Sequence, residues 1–187
     1  LGMNSWSSEE FVWSDMKRYD RGKVLTTEDL DNLDQFGRYL DLDGDGIPYR
    51  TYPGTHPQKG AYFTRGTSHD EYARYTEDGV KNAEVLSRLT KKFQTASSTV
   101  PAPIFNQEEN SSSIGVIYFG STDCSMQEAL DDLEDQNINV DAMRIRSFPF
   151  NLEVWEFIEE HDLLFIVEQN RDGQMRTLLM AEGGIIP

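Results

Sequence analysis

The sequence predicts an α/β fold, a layered domain over 114–187 that follows a long irregular arm carrying two helices. Three observations point to it. Strand-like and helix-like segments alternate from Ile114 onward, and such alternation implies right-handed crossovers around a mostly parallel sheet. The stretch 37–70 holds turn formers and aromatics scattered among charges, with no long helical period, and irregular segments of that length are usually functional or packed on something else. Between the two regions lies "SSTVPAPIFNQEENSSS", whose Ser and Pro content reads as a surface linker. The organisation expected is therefore an arm over 1–96, a linker over 97–113 and the α/β domain over 114–187.

Within the arm, "TTEDLDNLDQFG" predicts a helix. Thr26 and Asp29 have capping-box spacing, Leu30, Leu33 and Phe36 supply an apolar stripe, and Gly37 supplies a stop. "EDGVKNAEVLSRLTKKF" predicts the second. Val85 or Leu86, with Leu89 and Phe93, would line one face, and acids at its start and Lys91 and Lys92 at its end would suit the helix dipole. In the following domain "IGVIYFG" is a continuous apolar run, the pattern of a strand buried on both faces. Thr122 and Asp123 are helix-cap candidates, and Met126, Ala129, Leu130 and Leu133 form an amphipathic face. "INVDAMRIRSF", "NLEVWEFIEEHD", "LLFIVEQN" and "GQMRTLLMAE" then read as strand, capped helix, strand and helix. The apolar pair in "GGIIP" could begin one more strand, and both ends of the chain read as cuts inside a larger polypeptide.

Charge and composition narrow the function. A net charge of −16 over 187 residues argues against binding nucleic acid or anionic membrane, both of which need Lys/Arg patches. No apolar run is long enough to span a bilayer, and no basic-then-apolar leader opens the chain, so a cytoplasmic protein is expected. Cys124 is the single cysteine. It supports neither a disulfide framework nor the four thiolates of an iron–sulfur cluster, so any redox centre must come from a partner. There is no internal repeat and no low-complexity tract.

Three segments could carry chemistry. "DLDGDGIPYRTY" places Asp41, Asp43, Asp45, Gly46 and Ile47 as in the first half of a calcium loop, but Tyr52 stands where the bidentate Glu belongs and Pro48 blocks the usual exit into a helix. The segment is either an acidic Asp/Gly turn, with its carboxylates bonding nearby amides, or a half-loop that holds a divalent ion through Asp41, Asp43 and Asp45. "FTRGTSHDEYARYTEDG" gathers Arg65, His69, Asp70, Glu71 and Arg74, either an ionic loop or an acid/base or metal group, with Arg65, His69, Asp70 and Glu71 as candidates for an interface or active-site loop. His56, boxed by Pro and Gly, reads as a turn histidine. "VEQNRDGQM" lies where a buried strand gives way to a helix, the carboxyl-end crevice in which open α/β sheets bind ligands. Glu168, Gln169 and Asn170 are accordingly ligand, interface or loop-backbone candidates. Cys124 near a helix start could have a lowered pKa, but lone cysteines are mostly structural. No phosphate loop, nucleophile elbow or Cys/His metal spacing is present, and no residue is assigned as catalytic.

The blocks "DRGKVL", "GRYLDLDGDGIPYRTYPGTHPQKGAYFTRGTSHDEYARYTED", "VPAPI", "GVIYFGS", "FPF" and "FIVEQNRDGQMRTLL" together resemble the C-terminal part of the alpha subunit of 2-oxoacid:ferredoxin oxidoreductases, nearest the 2-oxoglutarate type. The resemblance runs essentially from end to end and is most specific over 37–78 and 165–179. It implies an enzyme that converts a 2-oxoacid and coenzyme A to acyl-CoA and carbon dioxide, with electrons passed to ferredoxin. Thiamine diphosphate, Mg2+ and an iron–sulfur cluster are implied for the holoenzyme, held mainly by a beta subunit. The family's Tyr-Pro-x-Thr-Pro substrate motif lies upstream and is absent here, as is the pyrimidine-binding domain, with at most a last remnant at "LGMN". The α/β domain would then be the three-layer, transketolase C-terminal-like unit, an assembly module with no catalytic residue of its own. A non-catalytic binding module stabilised by a divalent ion is the competing expectation.

Overall fold

The computed structural model describes residues 20–64, 66–106 and 112–184. The chain divides after Ala96 into two compact units, and each is taken by itself.

In the first unit, α1 (Thr27–Asp31) opens on the expected capping box. Asp29 N–H donates to the Thr26 hydroxyl at 3.2 Å, while the Asp29 carboxylate accepts from the Thr26 backbone at 2.8 Å. The helix is one turn long, shorter than the run to Gly37 that its apolar spacing suggests. The reason is Lys59, whose ammonium donates to the carbonyls of Leu30 and Leu33 at 3.0 and 2.7 Å and so takes acceptors that a continuing helix would use. Leu30, fully buried, anchors this turn. A second helix, α2 (Gly79–Ala96), is 18 residues long. Its orientation differs from the amphipathic reading: Val85 is half-buried, whereas Leu86, Leu89 and Phe93 are exposed. What α2 packs on is backbone. A Cβ added at Gly46 would lie 2.5 Å from Lys92 N and 2.9 Å from Arg88 O, so the glycine lets the acidic loop lie flat against the helix. Two further bonds seat it, from Arg88 to Gly46 O at 2.9 Å and from the Thr95 hydroxyl to Asp45 O at 2.5 Å. The helix also begins after the acids expected in its first turn and ends beyond Lys91 and Lys92, so none of these occupies a terminal turn. Asp78 instead stands just outside and accepts from Val80 N at 2.8 Å.

The second unit is a mixed four-stranded sheet in the order β1-β3-β2-β4, with helices on both faces. β2 (Ile114–Phe119) is central and buried, as its unbroken apolar run predicts. It pairs in parallel with β3 (Asp141–Ile145) on one side and β4 (Leu163–Val167) on the other. β1 (Ile104–Asn106) pairs antiparallel with β3. This strand lies inside the segment 97–113 expected to be a linker. It was hidden because three residues after two prolines carry no alternation to read, and it is pinned by distant groups. Arg146 donates to Ala102 O and the Ser147 hydroxyl to Pro101 O, each at 2.7 Å, and the Asn151 amide donates to Ser97 O at 2.8 Å.

Alternate residues of each strand meet different helices, as the period of two requires. Val116, Tyr118 and Ala142 pack on Met126 and Leu130 of α3 (Asp123–Asp135). Ile117, Met143 and Ile145 pack on Val154 and Phe157 of α4 (Leu152–Glu160) and on Leu179 of α5 (Gln174–Gly183). Asn151 precedes α4 in extended conformation without a side-chain cap bond. On the α3 side the row Leu163, Phe165 and Val167 of β4 stays exposed. Among the described residues β4 is also the end of the sheet.

Candidate functional site

The acidic loop brings Asp41, Asp43 and Asp45 together, with one carboxylate oxygen of each inside a 4.8 Å group. Most of the bonding capacity is already used. Asp41 accepts from Gly44 N and Gly46 N, both at 3.0 Å, and Asp45 accepts from Ile47 N at 2.8 Å. The positive charge that the structure places here is Lys23. Its ammonium lies 2.7 Å from Asp43 and 2.5 Å from Asp45 and 5.1 Å from the Tyr49 ring centre. Tyr49 O–H donates to Asp43 at 3.0 Å. Hydrogen bonding to Lys23 holds the Asp43 carboxyl below its ordinary pKa. Desolvation opposes the charge on Lys23, but the two carboxylates outweigh it and raise the lysine. The arrangement ties the strand bridge Val24–Arg50 to the loop that carries α2. A divalent ion at the same carboxylates would have to displace Lys23. Lys23 sits eighteen residues upstream of Asp41, and no spacing rule links it to the loop.

The second candidate loop is consumed by its own turn. Asp70 accepts from Tyr72 N and Arg74 N at 2.9 and 2.8 Å, and the Ala73 backbone takes φ 65° between them. His69 Nδ1 lies 2.9 Å from Asp70 O, so Nδ1 carries the proton of the neutral ring. The ring stacks on Tyr39 with centroids 4.1 Å apart. The Glu71 carboxylate faces Lys81 at 3.7 Å, and its carbonyl accepts from Tyr39 N at 3.1 Å. These three adjacent residues thus point to three different neighbours. Arg65 lies outside the described residues. His56 Nδ1 accepts from Lys59 N at 2.7 Å and Gln58 N at 3.0 Å, while Nε2 faces Asp31 at 3.1 Å, which makes it a turn residue with a fixed tautomer.

At the third candidate, β2 and β4 are neighbours whose following helices leave to opposite faces, the condition for a crevice at their carboxyl ends. One lip is the 3-10 turn Gly120–Thr122, after which α3 begins with Asp123, paired with Arg144 at 2.7 Å, and exposed Cys124. The other is Glu168 to Asn170. Glu168 turns onto the start of α5, accepting from Met175 N at 3.0 Å and Arg176 N at 3.3 Å, and the Asn170 amide donates to it as well. Desolvation raises this carboxyl, but those donors outweigh it and leave it below the ordinary range. Glu168 and Asn170 therefore cap α5, and exposed Gln169 lies between them.

One polar pair escaped the sequence reading. Asp141 at the start of β3 and His161 before β4 are both buried, with Nε2 3.1 Å from the carboxylate and Nδ1 2.6 Å from Phe157 O. They meet over Gly115 of β2, where an added Cβ would lie 2.9 Å from the His161 ring and 2.8 Å from Leu164. An acid at the head of a strand, set between Val140 and the apolar pair Ala142 and Met143, was the available signal.

No protein-family model matches the chain. Over 174 residues, 89% of its length, the chain is 31% identical to 2-oxoacid:ferredoxin oxidoreductase 2, subunit alpha, of Aeropyrum pernix, of which the match covers 25%. Over 175 residues, 91% of its length, it is 26% identical to the 2-oxoacid:ferredoxin oxidoreductase subunit alpha of Saccharolobus solfataricus, covering 26% of that protein. The chain thus spans about a quarter of the length of these relatives. Among solved structures, 2-oxoglutarate:ferredoxin oxidoreductase from Magnetococcus marinus, with 2-oxoglutarate, coenzyme A and succinyl-CoA bound, superposes with a TM-score of 0.67 at 24% identity. That match covers 81% of this chain and 26% of the other and shows a shared fold.

Proposed function

We propose, from the premise that this chain is homologous over most of its length to alpha subunits of 2-oxoacid:ferredoxin oxidoreductases, that it forms the assembly and interface part of such a subunit. The complete enzyme oxidatively decarboxylates a 2-oxoacid with coenzyme A, releasing acyl-CoA and carbon dioxide and passing two electrons to ferredoxin. The observation that carries the reading is the 31% identity over 174 residues, a match long enough to take in both units. 2-Oxoglutarate, giving succinyl-CoA, is the substrate favoured by the sequence blocks quoted above and by the shared fold. The second unit is read as the transketolase C-terminal-like domain, and the protein as cytoplasmic. Among the described residues no helix is long and apolar enough to cross a membrane.

The residues present do not fit the redox and thiamine groups. One thiol, Cys124, cannot ligate a cluster. The carboxylates of Asp41, Asp43 and Asp45 could meet a diphosphate only through a divalent ion, which would have to displace Lys23. Thiamine diphosphate with its Mg2+, and the cluster, are therefore assigned to a beta subunit, and this chain is given no step of the chemistry. The test is anaerobic viologen reduction by the complete alpha subunit with its beta partner and coenzyme A, offered 2-oxoglutarate, pyruvate and a branched 2-oxoacid separately. Reduction with 2-oxoglutarate supports the proposal. Silence with all three, from a complex shown to hold thiamine diphosphate and its cluster, leaves a shared fold alone.

The 4.8 Å carboxylate group favours a second reading, a divalent-ion-stabilised binding module. Calorimetric titration of the chain and of Lys23→Ala with calcium and magnesium separates the two. Heat and a raised melting temperature, larger without Lys23, would support the ion; no heat from either protein would remove it.

A further inference from the structure

Helix α4 carries Glu153, Glu156, Glu159 and Glu160, yet the sequence holds no Lys or Arg between Arg146 and Arg171. The helix therefore has none of the i,i+4 cations that usually accompany such acids. Between α4 and the end of α5 lies an open cleft of about 330 Å³ lined by half-buried Trp155 and Ile158 and by exposed Glu159, Glu182 and Gly183. Among the described residues neither Glu159 nor Glu182 takes part in an ion pair. Trp155 packs edge to face with Phe150, centroids 5.5 Å apart, and its half-buried indole forms one wall of the cleft. Gly183 closes α5 and Glu159 falls in the last turn of α4, so the carbonyl ends of two helices add negative potential to the two carboxylates.

An aromatic wall, two unpaired carboxylates and two helix C-termini around one cavity are complementary to a flat cation. We infer that this cavity receives an arginine side chain presented by a partner protein, with the guanidinium against Trp155 and its N–H groups donating to Glu159 and Glu182. Guanidinium suits it better than ammonium because it stacks on an indole and offers a rigid fork to carboxylates. The surrounding charge of −16 steers a basic partner toward the chain and makes the contact salt-dependent. The inference stands without the enzymatic reading above.

The probe is argininamide, titrated into the 15N-labelled chain while the Trp155 indole N–H resonance, assigned with Trp155→Phe, is followed. Citrullinamide, of similar shape but uncharged, is the control, and Glu159→Gln/Glu182→Gln is the variant. A saturable shift with argininamide that weakens at least threefold in the variant, and again at high salt, is the expected result. The shared backbone spectrum of the variant reports that it is folded. No shift, an equal shift with citrullinamide, or an unchanged affinity in the variant would overturn the inference.

Discussion

Gly46 combines two demands that no other residue type meets: a left-handed backbone at φ 84° and a flat approach to the α2 backbone. Gly44 shares only the first, at φ 76° with open space around its Cα. Gly44→Ala should therefore cost about 1 kcal/mol from backbone strain alone. Gly46→Ala should cost clearly more, on the order of 2–4 kcal/mol, because helix and loop must also part; thermal melts of both variants check the order. Lys23→Met tests the acidic loop by pH. Asp43 is depressed in the fold, so its contribution is present above the unfolded carboxylate range and is lost as pH falls through the folded value. Lys23 is raised, so its contribution holds below the unfolded lysine value and is lost as pH rises through the folded one. The melting-temperature gap between wild type and Lys23→Met should thus be open at neutral pH and close as the solution is acidified. The acidic turn itself was legible from Asp/Gly spacing. Its cation was not, because the lysine arrives from another segment by tertiary folding.

At the level of elements, the strands and helices from Ile114 to Gly183 were legible because the helices bury one face at their own period and the central strand, buried on both, reads as an unbroken apolar run. The elements misread are those whose partners are not side chains of their own period. α1 is cut short by Lys59, β1 borrows its place from β3, and α2 presents Arg88 and its backbone to a loop while its leucines face outward. Of the site residues, Glu168 shows why position alone misleads. It occupies the lip of a crevice, yet its oxygens are turned onto the amides of α5. Glu168→Ala should cost about 1 kcal/mol, the usual worth of an N-terminal cap, and amide hydrogen exchange should quicken first at Met175 and Arg176. Since its carboxyl is depressed in the fold, the difference from wild type should vanish as pH falls through its folded value.

For the molecule as a whole, the second unit is held across its central strand. Asp141 and His161 flank β2 and meet over Gly115, joining the starts of β3 and β4 in a buried, hydrogen-bonded pair. Removing His161 takes a buried partner from the Asp141 carboxyl, which keeps the Ser112 N–H at 3.1 Å. His161→Leu should therefore destabilise this unit by about 3 kcal/mol or more, and Gly115→Ala by about 1–3 kcal/mol through crowding against His161 and Leu164. Chemical denaturation read from signals of that unit measures both. The alternation of strand and helix was readable from Ile114 onward, but a pair that spans a third strand has no linear pattern. The open row Leu163, Phe165 and Val167 on the end strand has a colloidal consequence. An exposed apolar row on a strand that ends the sheet among the described residues is a template for self-association, and at neutral pH the charge of −16 keeps copies apart. That repulsion fades toward the isoelectric point near 4.4. Light scattering should then rise steeply as the pH approaches that value, and a lysine in place of Phe165 should delay the onset of turbidity.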